Sequence, residues 1–178
     1  SGFTEQIVNA GWINNKGWEI SLNLVPVRLA NGFEWSSSFA FTRIRSLVKD
    51  AGPQGSIFLG GTGTSALGTI HKTGFPYGQI FGTKNARDKD GNLLINELDG
   101  LPYALPTSQI IGDPNPNFTL GWTNTFSWKG INLGVLLDYR DGGQMWSSTA
   151  ASLLLRGMLK FQEDREALRV VPGVYGDN

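Results

Sequence analysis

The sequence lacks most of the residues that carry catalytic or metal chemistry. Its 178 residues include no cysteine and a single histidine, His71. The absence of cysteine excludes a disulfide scaffold, a cysteine nucleophile and a cysteine-based metal site. No G-x-S-x-G nucleophile motif occurs either. We therefore predict that the chain is not an enzyme, and we expect His71, which lies between glycines, to be a solvated loop side chain.

The sequence also lacks an excess of charge and a long apolar run. Fifteen basic residues balance fifteen acidic ones, which argues against a nucleic-acid partner because such proteins gather basic charge on one face. No run approaches the roughly 18 apolar residues of a membrane helix. The first residues have no secretory signal and the last form no recognisable strand, so we expect a piece of a longer protein.

Two segments instead alternate between apolar and polar residues with the period of two that is typical of β-strands. Residues 17–43 alternate around Asn31-Gly32, a pair that tolerates positive φ in a tight turn. Residues 117–141 alternate around Lys129-Gly130, with Leu136 alone out of phase. Each segment is predicted to be an antiparallel hairpin.

The length of these strands favours an outer-membrane barrel over a soluble sheet. About ten tilted residues span about 25 Å, the apolar band of an outer-membrane barrel. Aromatic residues mark both ends of the strands, as interfacial girdles require. They are Phe33, Trp35 and Trp128 beside the turns and Trp18, Phe41 and Tyr139 at the far ends. We predict an all-β chain, a segment of a large antiparallel transmembrane β-barrel, although aromatic residues in a soluble core would give the same pattern.

The remaining sequence is predicted to form long external loops at residues 43–117 and 141–178, because it is irregular and rich in Gly and Pro. Within the first loop, residues 75–81 and 93–95 are either two further membrane crossings or an extracellular ribbon turned at Asp90-Gly91. In the second, Leu154, Met158 and Phe161 recur at helical spacing and predict a short loop helix over residues 152–168. A helix that packs on a soluble core would show the same spacing.

Two motifs resemble ligand sites without the context that those sites need. Gly61, Gly63 and Ala66 match the dinucleotide pattern G-x-G-x-x-A, but the glycines and proline that follow interrupt the required helix. Asp88, Asp90 and Asn92 place oxygen side chains at alternate positions, as a calcium loop does, yet the glycine falls at the fourth position and not the sixth. An Asp-Gly turn is the favoured interpretation and a weak calcium site the alternative, so we expect no cofactor.

Several stretches resemble one family. Residues 9–23, NAGWINNKGWEISLN, resemble the N-x-G-x-x-x-N-K-G-x-E strand opening of SusC/RagA-family TonB-dependent outer-membrane transporters. Residues 112–143 resemble the family's G-N-P-x-P-x-W/F rim and the hairpin after it, with Asp113 where the family usually has Asn. LRVVPGVY at 168–175 adds to the similarity, and residues 46–70 and 84–108 are the least typical.

The resemblance implies a barrel of about 22 strands with an N-terminal plug in the bacterial outer membrane. Such a transporter imports oligosaccharides or peptides together with a SusD-like surface lipoprotein, and the TonB complex drives import by pulling on the plug. This chain would be a late part of the barrel wall that lacks the plug, the TonB box and the last strand.

A barrel wall has one face towards lipid and one towards the lumen. The predicted lipid-facing residues are Trp18, Ile20, Leu22, Leu24, Leu120, Trp122, Leu133, Val135 and Leu137. The predicted lumen-facing residues are Glu19, Asn23, Asn132, Asp138 and Arg140. In the loops, aromatic residues are the candidates for contact with substrate or partner, because exposed rings stack on sugars and pack on protein. They are Tyr77, Tyr103 and Trp146.

Two other functions fit the same alternation. A soluble β-sandwich carbohydrate-binding module has similar strands and aromatic loops. A passive porin differs from the transporter by lacking a plug.

Overall fold

Long antiparallel strands dominate this computed structural model, which describes residues 11–60, 67–164, 166 and 170–176. The strands in chain order are β1 Trp12–Arg28, β2 Glu34–Asp50, β3 Ser56–Gly60, β4 Gly68–Lys72, β5 Gln79–Gly82, β6 Leu94–Ile95, β7 Gln109–Gly112, β8 Pro116–Trp128, β9 Ile131–Gly142 and β10 Val174–Tyr175. One helix, α1 Ser148–Leu155, and a 3-10 turn at Lys160–Gln162 lie between β9 and β10. The predicted all-β class is confirmed.

The chain divides into two units, which are described separately. The first comprises the described residues within 1–57, 71–79 and 113–144, and the second those within 58–70, 80–112 and 145–178. The first unit contains a four-stranded sheet in the order β1-β2-β8-β9. All three pairings in this sheet are antiparallel.

The first hairpin is longer than the 27 residues over which its sequence alternates most clearly. β1 and β2 each have 17 residues, and their pairing continues to Trp12 opposite Asp50. Gly17 permits this extension, because a Cβ at that position would lie 2.5 Å from the Arg43 carbonyl oxygen. The two strands therefore pair beyond the stretch in which apolar alternation marks them.

Both hairpin turns use the residues that the sequence indicated. Gly32 has a φ of 86°, and the Asn31 side chain accepts a hydrogen bond from the Phe33 amide at 3.0 Å. Lys129 and Gly130 both have positive φ, at 46° and 88°, which is the conformation of a type I′ turn. Such a turn matches the twist of the strands that it joins.

The pairing of β2 with β8 bears on the two alternatives for residues 75–95. Because the two strands are direct neighbours, residues 51–115 insert no strand between them. β5 has four residues and β6 has two, against the roughly 9–11 residues that a membrane-crossing strand needs. Residues 93–95 instead form one arm of a ribbon turned at Asp90-Gly91, in which Leu93 pairs with Arg87. The pairing thus favours the ribbon over two crossings.

The region between the hairpins is more regular than the predicted loop. β3, β4, β5 and β7 form a second four-stranded sheet in that order. In the second unit the rings of Phe58 and Phe81 meet edge to face with centroids 5.7 Å apart. β10 pairs with β6 in parallel, Val174 opposite Leu94. These strands are short, so apolar alternation had too few residues to reveal them.

The helix differs from its prediction. It begins at Ser148, where the Ser147 hydroxyl caps it by accepting from the Ala150 amide at 3.1 Å, and it ends before Gly157, whose φ is 67°. The predicted short loop helix is therefore present, but it begins before residue 152 and ends well before 168, because an N-cap serine and a glycine with positive φ define its ends. Residues 165, 167 and 168 of the predicted range lie outside the described residues.

Candidate functional site

The sheet β1-β2-β8-β9 has two chemically distinct faces. Residues paired across neighbouring strands share a face, as do residues two apart along a strand. One row of the apolar face joins Ile20, Phe41, Leu120 and Tyr139. The next joins Leu22, Phe39, Trp122 and Leu137. The nine residues predicted to face lipid all lie on this face.

The apolar face is largely uncovered. Ile20 is 55% exposed, Leu22 48% and Leu137 53%. The described core is correspondingly small, and its residues lie elsewhere: Val48, Ala51, Ile70, Ala86 and Ile95. A sheet that leaves a continuous apolar face exposed in this way is expected to bury it against something else.

The opposite face is polar. Glu19, Thr42, Thr119 and Arg140 form one row, and Ser21, Ala40, Gly121 and Asp138 form the next. Asn23 accepts a 2.6 Å hydrogen bond from the Ser38 hydroxyl. The five residues predicted to face a lumen share this face: Glu19, Asn23, Asn132, Asp138 and Arg140. Leu136, 69% exposed, and Ile44, 48% exposed, are large apolar exceptions on this face.

One polar pair interrupts the apolar face, and the sequence did not reveal it. Ser37 lies opposite Asn124, yet the two residues are only 3% and 5% exposed. The Trp122 indole donates to the Ser37 hydroxyl at 2.8 Å, and the Trp35 indole donates to the Asn124 side-chain oxygen at 3.0 Å. Each indole thus covers and satisfies one buried polar group. Trp35 and Trp122 are spaced along β2 and β8 as apolar residues, so their hydrogen bonds could not be inferred from the sequence.

The segment 113–117, whose sequence resembles the family rim, joins the strand ends to a neighbouring loop. The Asn115 side-chain amide donates to the Asp113 carboxylate at 2.7 Å and to the Tyr77 carbonyl oxygen at 2.8 Å. Asp113 and Gln144 exchange two further hydrogen bonds, at 2.8 and 2.7 Å. Arg140 donates to the Pro114 carbonyl oxygen at 2.9 Å. The Asp113 side-chain oxygen accepts hydrogen bonds from Asn115, and the side-chain oxygen of an Asn could do the same. The turn therefore tolerates Asp at the position where the family usually has Asn.

The three loop aromatics proposed as contacts lie in different segments. Tyr77 is 44% exposed and follows the Phe75 turn. Tyr103 is half-buried in the ribbon, where its carbonyl oxygen accepts from the Ala86 amide. Trp146 is 49% exposed and precedes α1. Their roles as contacts stay predictions.

His71 was wrongly expected to be a solvated loop side chain. It lies in β4 and is half-buried. Its ring stacks on Tyr77 with centroids 4.1 Å apart, and its Nδ1 accepts from the Gly78 amide at 3.2 Å. An accepting Nδ1 requires a neutral imidazole with its proton on Nε2. This role could not be predicted from the sequence, because it depends on the turn that brings Tyr77 and Gly78 back onto the His71 ring.

The segment considered as a calcium loop is closed by its own hydrogen bonds. The Asp88 carboxylate accepts from the Asp90 and Asn92 amides at 2.9 and 2.8 Å, and from the Asn92 side chain at 3.0 Å. The hydrogen bond from the Asn92 side chain lowers the pKa of Asp88; desolvation opposes it, and the backbone amides lower the pKa further. Among the described residues no three His, Cys, Asp or Glu side chains are grouped as metal ligands would be. The G-x-G-x-x-A segment at 61–66 lies outside the described residues.

Comparison with known proteins adds to this geometry. No family model matches the sequence. The chain is 27% identical over 173 residues to TonB-dependent receptor P26 of Formosa agariphila, and 28% identical over 176 residues to TonB-dependent receptor P3 of the same organism. It resembles a segment of a TonB-dependent receptor.

The alignments cover 83% and 86% of this chain but only 17% of each relative, so the chain spans about a sixth of the length of the curated relatives it matches. The similarity confirms the resemblance to TonB-dependent receptors and does not single out the SusC/RagA family among them. Both relatives are named as TonB-dependent receptors, in keeping with the prediction that the chain is not an enzyme. No helix in the described part of the chain is long and apolar enough to cross a membrane.

Proposed function

We propose that this chain is part of the barrel wall of a SusC/RagA-type TonB-dependent transporter in the bacterial outer membrane. The observation that carries the proposal is the sheet β1-β2-β8-β9, which has one largely apolar, exposed face and one polar face. In a barrel, the first face contacts lipid and the second lines a wet lumen. The similarity to two TonB-dependent receptors supports the same assignment.

The dimensions of the apolar face support a membrane. It runs along β1 from Trp18 to Val27, whose partners are Arg43 and Trp35. Nine residue steps at roughly 3.3 Å, tilted by about 40°, span about 23 Å of the membrane normal. This is close to the apolar band of about 25 Å in outer-membrane barrels. β1 and β2 continue past this band on the side of the long loops.

The same exposure disfavours the soluble sandwich. In a sandwich, a second sheet covers the apolar face at about 10 Å, whereas Ile20, Leu133 and Tyr139 are each more than half exposed. β1 and β9 also end the sheet with unpaired edges among the described strands. In water the unpaired edges could pair with other chains and the apolar face would stay exposed, so we expect the isolated segment to aggregate without detergent.

The long loops are the parts of the chain that we expect to contact substrate and partner. The SusC/RagA resemblance implies import of oligosaccharides or peptides with a SusD-like lipoprotein, driven by the TonB complex through a plug that other parts of the protein would supply. The long connections lie at one end of the sheet, and the turns at Gly32 and Gly130 lie at the other. Tyr77, Tyr103 and Trp146 are the rings that we assign to contacts with substrate or lipoprotein.

Labelling of the full-length receptor in intact cells tests the proposed topology. The chain has no cysteine of its own, so Asp90→Cys in the ribbon and Lys129→Cys in the β8–β9 turn each introduce one thiol here. A membrane-impermeant maleimide should label Asp90→Cys in intact cells and Lys129→Cys only after the outer membrane is opened. Equal labelling at both positions in intact cells, or absence of the protein from the outer-membrane fraction, would refute the proposal. Loss of oligosaccharide or peptide uptake on deletion of the gene tests the transport function separately.

A further inference from the structure

Three basic side chains lie together on the apolar face of the sheet, at the end that carries the long loops. Lys16 is directly opposite Arg45, and Trp18 is directly opposite Arg43. Since cross-strand partners share a face, and residues two apart do too, Lys16, Arg43 and Arg45 continue the face that holds Ile20 and Leu22. All three are exposed. We call them the basic cluster.

The basic cluster is unfavourable for the sheet by itself. Like charges directly opposite each other on neighbouring strands destabilise the pairing. In the part of the chain that the structure describes, none of these three side chains forms an ion pair. The ion pair on this hairpin joins Arg28 and Glu34, at the opposite end, beside the tight turn. When like charges face each other across strands and no acidic side chain neutralises them, the arrangement indicates a functional site.

The neighbours of Arg45 orient it without neutralising it. Its Nη2 donates to the Asn117 side-chain oxygen at 2.9 Å, and its Nη1 to the Pro116 carbonyl oxygen at 3.4 Å. Asn117 in turn donates to Asp141 at 2.9 Å. Asp141 is thus the acidic group on this face that the hydrogen-bond network links to Arg45. The side-chain amide of Asn117 lies between the Asp141 carboxylate and the Arg45 guanidinium. Both acceptors of Arg45 are neutral, so its charge remains available.

The aromatic residues beside the basic cluster indicate its level relative to the proposed membrane. Phe118 lies between Phe41 and Tyr139, with ring centroids 5.7 and 5.8 Å away. Trp18, 70% exposed, lies on the same face between Lys16 and Ile20. Trp and Tyr concentrate at the headgroup level of membranes, so the basic cluster lies just beyond the hydrocarbon, at the level of headgroup phosphates.

We propose that Lys16, Arg43 and Arg45 bind the phosphate groups of an anionic lipid of the outer leaflet, whose acyl chains lie on the apolar rows beside them. The inference rests on the proposed membrane position of this sheet. Guanidinium groups bind phosphate through paired hydrogen bonds, and an ammonium adds a compact charge. Bound phosphate removes the repulsion between Lys16 and Arg45, which explains why the pair is tolerated.

The test measures lipid phosphorus that stays with the full-length receptor purified from the outer membrane in a neutral detergent. The variant combines Lys16→Gln, Arg43→Gln and Arg45→Gln. The matched control combines Lys84→Gln, Arg87→Gln and Lys89→Gln, which removes the same charge from the ribbon region. Each basic charge at an anionic surface strengthens binding by about fivefold, so the triple variant should bind phosphorylated lipid roughly a hundredfold more weakly. The control should retain its lipid.

Two further measurements separate the possible explanations. In lipid-free detergent the triple variant should melt close to the parent, because the relief of like-charge repulsion offsets the loss of the Arg45 hydrogen bonds to Pro116 and Asn117. Phosphorylated lipid added back should raise the melting temperature of the parent and not of the variant, whereas inorganic phosphate and dephosphorylated lipid should leave both unchanged. Equal lipid retention by variant and parent, or equal stabilisation by inorganic phosphate, would overturn the inference while the receptor still inserts. A receptor absent from the outer membrane would overturn the proposed function as well.

Discussion

The Trp122 indole donates a 2.8 Å hydrogen bond to the Ser37 hydroxyl, across the junction of β2 and β8. This junction joins strands separated by 65 residues of chain (50 to 116), so no tight turn fixes its register. The stacked pairs Trp35–Phe126 and Phe39–Trp122, with centroids 5.9 and 5.3 Å apart, lie on either side of Ser37. Aromatic packing and two indole hydrogen bonds therefore specify which residues of β2 and β8 meet.

The first prediction concerns this hydrogen bond. Trp122→Phe keeps a ring against Phe39 but leaves the buried Ser37 hydroxyl without its donor. We expect a loss of about 0.5–1.5 kcal/mol in the unfolding free energy of the full-length receptor in detergent micelles. Ser37→Ala in the Trp122→Phe background should recover part of that loss. Strictly additive effects of the two substitutions would show that the hydrogen bond contributes nothing.

The second prediction tests which face meets lipid. Leu22→Arg places a charge on the apolar face near the middle of the proposed membrane band and should cost about 2–4 kcal/mol. Its neighbour Asn23 points to the opposite, polar face, so Asn23→Arg should be mild. Refolding yields and unfolding midpoints of the two variants in lipid bilayers provide the comparison. Equal tolerance at both positions would contradict a membrane-facing surface.

The two hairpins could be predicted from the sequence because each strand has enough residues for alternation to appear, and because Asn31-Gly32 and Lys129-Gly130 are turn-forming pairs. The assignment of residues to the two faces followed from the same alternation. The pairing of β2 with β8 could not be predicted, since alternation fixes a strand's faces but not its neighbour. His71 and Ser37 were missed for a related reason: their hydrogen-bond partners are supplied by the fold.

The third prediction concerns pH and the ribbon turn. Hydrogen bonds from Asn92 and neighbouring amides lower the pKa of Asp88 below its ordinary value. A group whose pKa is lower in the folded state stabilises that state above its unfolded pKa, near 3.9 for Asp, and this stabilisation is lost as pH falls through the folded pKa. Hydrogen exchange at the Asp90 and Asn92 amides should therefore stay protected at neutral pH and lose relative protection at strongly acidic pH. Asp88→Ala should abolish the protection at every pH, and Glu97→Ala is the control.

The last prediction tests whether the ribbon serves recognition while the sheet β1-β2-β8-β9 alone serves membrane insertion. The sheet β1-β2-β8-β9 is complete without residues 84–105, because β2 pairs with β8 directly. Replacing residues 84–105 with a short Gly/Ser linker in the full-length receptor should therefore leave membrane insertion intact, since loop length has only a small entropic effect. It should weaken uptake and binding of the surface lipoprotein, because the replacement removes Tyr103 and the ribbon that presents it. Changing Lys129-Gly130 to Asn-Gly, a pair that also forms a type I′ turn, is the control and should affect neither. Normal uptake by the shortened receptor, or loss of lipoprotein binding in the turn variant, would show that recognition does not lie at the long-loop end.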